Sequence, residues 1–302
     1  MMGRVEIEAD INQQIHASFE RLAQHYKAFS PDIVVQFSPD HYQGFFHRLM
    51  PAFCLGLAAK SAEDWSIPAG EINVPKDAAE ALMQWLFNDN FDIAVSRNMV
   101  VDHGFLQLWE EALGSFKVVP IIPLFVNCAA PPLPSYQRVR ELGESVGRYA
   151  LQTNKRVLIV ASGGLSHDAP VPDINQVPNE IRDRLINGTP RSNDEKKVHE
   201  SKLAEFGLQA AVGEGPCMPL NPEWDNAFLN IMASGKLEQL DSFHADEVKA
   251  VAGRAANEVL CWVAAFAALS AAGNYTMHRE FYHPIPGWIA GMAMVTADVS
   301  VQ

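Results

Sequence analysis

Apolar residues recur along this chain in two alternating rhythms. Ile7, Ile11, Ile15, Phe19 and Leu22 fall at helical spacing and predict an amphipathic helix over residues 5–28, which Pro31 ends. Ile33-Val34-Val35-Gln36-Phe37 is then a β-branched run that predicts a buried strand, with Ser38-Pro39-Asp40-His41 as the loop after it. A second helix is expected over 77–88, and a strand over 93–101 that runs into Asp102-His103. Residues 118–126 are strand-like, but Pro120 and Pro123 each lack a backbone donor and predict an edge or irregular strand.

The rhythm continues with a helix over 136–151 and the clearest strand of the chain, Arg156-Val157-Leu158-Ile159-Val160-Ala161. That strand enters Ser162-Gly163-Gly164, where glycine allows a close approach of backbone to a neighbour. Residues 173–199 are polar, with a charged run over 191–197, and are expected as surface helix and loop. The segments 222–234, 235–243 and 245–272 fit helical periods. The longest apolar stretch, 259–272, is too short to span a bilayer and is expected as a buried helix. Helices alternating with strands predict an α/β fold: a mixed or mostly parallel central sheet flanked by helices, with a helical C-terminal subregion, as one domain over residues 1–302.

Composition narrows the function classes. The chain has 302 residues, 48% hydrophobic, and a formal net charge of −13. That acidity argues against general binding to nucleic-acid phosphates, which needs clustered Lys and Arg. The four cysteines show no CxxC or zinc-ribbon spacing, and the first ten residues carry no apolar signal-peptide segment, so a reduced cytoplasmic setting is expected, without membrane attachment.

Three segments end on a histidine after an apolar run: Asp40-His41-Tyr42, Asp102-His103-Gly104-Phe105 and Gly163-Gly164-Leu165-Ser166-His167. One such histidine alone is better read as structural. Three together predict a shared site, because α/β sheets place their chemistry beyond the carboxyl ends of the strands. His16, His25, His199 and His244 lie in polar helical surroundings and are expected at the surface, while His47, His278 and His283 carry no strong local signal. Glu258 stands at the start of an otherwise apolar helix, where a carboxylate either answers the helix dipole or binds something. Two histidines and a carboxylate form the facial triad of non-haem iron oxygenases. No GxGxxG, P-loop, GxSxG or HExxH pattern competes with this reading. Trp262, Trp288, Phe45 and Phe46 are candidates for an aromatic pocket, a role that competes with core packing.

At these residues the chain resembles the class III extradiol ring-cleaving dioxygenases. The likeness is carried by Ser38-Pro39-Asp40-His41-Tyr42, Val101-Asp102-His103-Gly104-Phe105, Ser162-Gly163-Gly164-Leu165-Ser166-His167, Leu220-Asn221-Pro222-Glu223-Trp224-Asp225-Asn226 and Pro284-Ile285-Pro286-Gly287-Trp288-Ile289-Ala290-Gly291. The resemblance implies Fe(2+) held by His41 and Glu258, His103 as the proton donor and His167 as the base. It implies a 2,3-dihydroxyphenyl-alkanoate or alkenoate and O2 as substrates, and a homo-oligomer, a tetramer. It also implies a further strand ahead of the first helix, ending in another histidine ligand. Met1-Met2-Gly3-Arg4 leads almost directly into the helix, and His16 falls inside it, so that strand and ligand are expected to be missing. Asn257 stands where the resemblance implies histidine. Two rivals follow: a non-catalytic remnant of the same fold, or a zinc-using relative. A carboxylate-bearing substrate needs a cationic partner, for which Arg48, Arg182 and Arg279 are candidates.

Overall fold

The computed structural model describes residues 4–300, so Met1-Met2-Gly3 lies outside the described residues. Helix α1 (Ala9–Phe29) buries Ile11, Ile15 and Phe19 on one face, as the spacing predicts. Strand β1 (Ile33–Ser38) follows and is buried at every position. It lies within a five-stranded sheet whose other members are β2 (Phe53–Gly56), β4 (Ala94–Ser96), β6 (Ile121–Val126) and β7 (Val157–Ala161), in the order β4-β2-β6-β1-β7. β1 runs parallel to both β6 and β7, β2 runs parallel to β4, and the β2–β6 pairing alone is antiparallel. The sheet is mixed and mostly parallel, and it is flanked by helices.

Four local expectations need correction. The strand expected over 93–101 is two strands in different sheets: β4 joins the central sheet, while β5 (Met99–Val101) pairs with β3 (Ala59–Ser61) outside it. The two prolines do not force β6 to an edge; it is central and wholly buried. The register explains this. The antiparallel ladder with β2 ends at Leu55–Leu124, one residue short of Pro123, and the proline ring packs over Gly56, where a Cβ would lie only 2.8 Å from Pro123 Cγ. The segment 235–243 contains a 3-10 turn (Leu237–Ser242), because Gly235 has already ended α7 (Pro222–Ser234) in a left-handed cap. The segment 245–272 is broken by Gly253 into α8 (Ala245–Ala252), a 3-10 turn (Ala256–Glu258) and α9 (Val259–Ala272).

Helix α9 is buried along ten consecutive residues from Val259 to Ala268 and packs on α4 (Tyr136–Gln152), as its all-round apolar sequence requires. The two backbones approach closely at Gly143 and Gly147. α2 (Lys76–Asn88), α5 (Asn179–Asn187) and α6 (Asn193–Ala211) complete the helices flanking these layers, together with α3 (His103–Leu113). The helical C-terminal region closes on an antiparallel ribbon that its periodicity did not predict, β8 (Asn274–Ile285) paired with β9 (Ala290–Ser300). β7 is an edge strand, and each of its residues is only half-buried.

Candidate metal centre and active site

The carboxyl ends of β1 and β7 lie side by side, since the parallel register pairs Phe37 with Ala161. The loop after β1 delivers His41, and the loop after β7 delivers His167. His103 arrives differently: it is the first residue of α3, capped by Asp102, whose carboxylate accepts from the Gly104 N–H. The three histidines that the sequence singled out do converge.

Each ring is held through Nδ1, which leaves Nε2 for the cavity. His41 donates both its backbone N–H and Nδ1 to Asp102 Oδ2, at 2.7 and 2.9 Å. Its Nε2 lies 3.3 Å from Glu258 Oε1. His103 is held by Asp64, which accepts from its backbone N–H at 3.0 Å and bonds Nδ1. His167 Nδ1 donates to the Ile289 carbonyl, which fixes the tautomer and leaves a lone pair on Nε2, 3.9 Å from Glu258 Oε1. The His41 and His103 rings stack with centroids 4.4 Å apart.

Glu258 is nearly buried. Its Oε2 accepts from the Gly164 N–H at 2.8 Å, so Oε1 is the oxygen turned toward His41 and His167. The glycine pair acts as the sequence implied: a Cβ on Gly163 would sit 2.7 Å from the Glu258 carbonyl oxygen. Burial alone would push the Glu258 carboxyl up, but the charges of His167 and His41 and the Gly164 N–H hold it down at about 2. Asp102 behaves alike: burial is outweighed by His41 and His103, and its carboxyl lies at about 2. For His41 burial favours the neutral ring, yet Asp102 and Glu258 outweigh it and raise its pKa well above the ordinary value. The side chain remains 34% exposed toward the cavity, which tempers that burial. Asp40 is pushed up to about 8 by burial and by the charge of Asp102, while it accepts from the N–H groups of Gln43, Gly44 and Phe45 and so shapes the turn after His41.

The donor set suits a divalent cation. An imidazole nitrogen, which becomes a donor when a metal displaces its proton, and an ionised carboxylate oxygen converge at 3.3 Å, and the histidine is backed by a buried carboxylate, the usual outer support of a metal-bound imidazole. Donor atoms of His41, Asp102 and His103 also lie within 4.8 Å of one another. Asp102 is already engaged by three N–H groups, which makes it an orienting residue, so His41 and Glu258 are the pair that fits a metal. Asn257 points elsewhere: buried, it accepts from the Tyr136 hydroxyl and donates to the Ala245 carbonyl.

The site opens into a cavity of about 800 Å³ lined by His41, His103, His167, Glu258, Trp262 and Trp288, among others. Phe45 and Phe46 are not among the lining residues; Phe45 stacks on Phe125 instead. His199, expected at the surface, is half-buried and lines the cavity. Sequence reasoning missed Asp64 and Trp65. The signal lies in backbone strain that only structure displays: Glu63, Trp65 and Ser66 all take left-handed φ angles, of 59°, 48° and 68°. The turn aims Asp64 at His103 and sets the Trp65 ring edge-on to it, with centroids 5.8 Å apart.

The chain matches, over residues 3–293, the family described as the catalytic LigB subunit of aromatic ring-opening dioxygenase. Similar curated proteins are named 2,3-dihydroxyphenylpropionate/2,3-dihydroxicinnamic acid 1,2-dioxygenase. One from Rhodococcus is 44% identical over 98% of this chain and 95% of its own length. One from Photorhabdus laumondii is 42% identical over 96% and 92%, and one from Klebsiella pneumoniae is 41% identical over 100% and 96%. A solved structure of an uncharacterized Escherichia coli protein shares the fold, with a TM-score of 0.50 at 12% identity, over 94% of this chain and 92% of that one.

Proposed function

This chain belongs to the family of catalytic LigB subunits of aromatic ring-opening dioxygenases, and on that premise we propose that it cleaves 2,3-dihydroxyphenylpropionate or 2,3-dihydroxycinnamate with O2. It is a ring-cleaving dioxygenase, an oxidoreductase. The ring bond beside the diol breaks, and both oxygen atoms enter the product. The observation that carries this reading is the convergence of His41 Nε2, Glu258 Oε1 and His167 Nε2 at one end of the cavity.

His41 and Glu258 would hold iron(II), which would supply a redox-active centre at which catechol and O2 can meet. The protein supplies the proton handling. His167, with its lone pair fixed on Nε2 by the Ile289 carbonyl, accepts a proton from a catechol hydroxyl. His103 gives a proton from Nε2 to the oxygen substituent as the ring opens, and the Asp64 carboxylate holds the imidazole in line. Trp262 and Trp288 supply apolar walls that keep bulk water from the reacting ring.

The enzyme works as a single catalytic domain in a cytoplasmic homotetramer. Among the described residues no helix is long and apolar enough to cross a membrane. The test is turnover after reconstitution with iron(II) under nitrogen. Addition of 2,3-dihydroxyphenylpropionate and air should give a yellow ring-opened product and consume one O2 per catechol. Absence of both would reject the reading. Sedimentation of the purified protein tests the tetramer.

A further inference from the structure

The cavity has a cationic wall that the ring-cleavage chemistry does not use. Lys196, His199, Glu200 and Leu203 fall at helical spacing on one face of α6, and all line the cavity, together with Arg191 from the loop before the helix. Two groups on this wall already have partners: Glu200 pairs with Arg4 and accepts from the Trp65 N–H, and the Lys196 ammonium donates to the Ala62 carbonyl. Arg191 is not matched. Among the described residues neither Arg191 nor its neighbour Arg184 has an ion-pair or hydrogen-bond partner for its guanidinium, and Arg184 Nη1 is buried with none. The charge of Glu195 reaches both guanidinium groups, but its carboxylate is held in the capping box of α6, where it accepts from the Ser192 backbone and hydroxyl and bonds neither arginine.

Two half-buried guanidinium groups that share one carboxylate at a distance, with no hydrogen-bonded partner of their own, are unfavourable in the empty protein. Burial first, and then the repulsion of Arg184, brings the Arg191 pKa down to about 10. His199 shows where this cluster stands. Its pKa is lowered to about 4 by burial and then by the charges of Arg191 and Arg184, with smaller effects from His41 and His103. It is therefore within electrostatic reach of both the arginines and the candidate metal centre, and all of these but Arg184 line the same cavity. By contrast, Arg48 is exposed, Arg279 is bound to Asn226, and neither they nor Arg182 line the cavity.

We propose that Arg191, backed by Arg184 and flanked by Lys196, binds the side-chain carboxylate of the substrate while the ring lies among His41, His103 and His167. The substrate's own anion supplies the direct partner that Glu195 does not. This selects dihydroxyphenyl-alkanoates over neutral catechols, and it rests on the ring-cleavage reading only for the identity of the ring.

The experiment is equilibrium calorimetry with 3-phenylpropionate and its neutral analogue 3-phenylpropanamide, which need neither metal nor turnover. The wild-type protein should bind the acid at least about tenfold more tightly than the amide, as expected for a charge-assisted guanidinium–carboxylate pair. Arg191→Gln should bind both equally within about twofold, Arg191→Lys should keep part of the preference, and Arg48→Gln should keep all of it. Because Arg191 lies in a loop, circular dichroism of both Arg191 variants should match wild type. Equal binding of acid and amide by wild type, or a preference that survives Arg191→Gln, would overturn the proposal. A failed ring-cleavage assay beside an intact acid preference would instead reject the catalytic reading alone.

Discussion

His41 and His103 lie face to face with ring centroids 4.4 Å apart, yet each is held by a different buried carboxylate, Asp102 for the first and Asp64 for the second. The two imidazoles are neighbours with separately fixed orientations, which is what a metal ligand beside a proton donor requires. The carboxylates should then fail differently. Asp102→Asn weakens the support of a ligand, and iron affinity should fall about 10- to 100-fold, read by competition with a chelator. Asp64→Asn should leave iron content near wild type and lower kcat. Equal iron affinity in both variants would contradict this division.

His103→Ala and His167→Ala should each reduce kcat by roughly two to four orders of magnitude with little change in iron content, the usual loss when a general acid or base is removed. Normal turnover of a catechol by His167→Ala would show that the base lies elsewhere.

Stability should rest on the α4–α9 contact. A Cβ at Gly147 would lie 2.2 Å from the Ala268 carbonyl oxygen, and one at Gly143 2.1 Å from that of Ala264, so the clash is with backbone and has little room to relax. Gly147→Ala should cost about 1–3 kcal/mol, visible as a lowered Tm. An unchanged Tm would mean that the helices separate at no cost.

His199 makes stability depend on pH. Its folded pKa of about 4 lies below the ordinary histidine value of 6.5, so between these values the unfolded chain binds more protons than the folded one. Stability from this residue is complete above about pH 6.5 and declines as pH falls toward 4. Asp168 adds a loss at lower pH. Burial opposes its charge, but hydrogen bonds from Arg254 and the Met218 N–H depress its pKa below 3.8, so its contribution declines only as pH falls below that value. Urea unfolding of His199→Asn between pH 4 and 7 should show a shallower slope than wild type. Identical slopes would contradict a neutral His199 in the folded protein.

Much of this was legible in the sequence, and the misses share a physical origin. His41 and His167 follow strands in short loops, and His103 and Glu258 stand where helices begin, places where local pattern is informative, and the structure brings all four together. Pro123 misled because its central position depends on where β2 stops and on the space left by Gly56, both nonlocal facts. The hairpin of β8 and β9 is mostly half-buried, with only a few fully buried positions at irregular spacing, and so lacks a strong apolar rhythm. Asp64, Arg191 and His199 sit in polar stretches that look like solvated surface until α6 and the strained turn at Trp65 are placed against the cavity.

The fate of dioxygen tests ring cleavage most directly. A single turnover of the iron(II)-loaded protein with 2,3-dihydroxyphenylpropionate under isotopically heavy O2, analysed by mass spectrometry, should give a ring-opened product carrying both heavy oxygen atoms. A product with one heavy atom or none, or an intact ring, would contradict it.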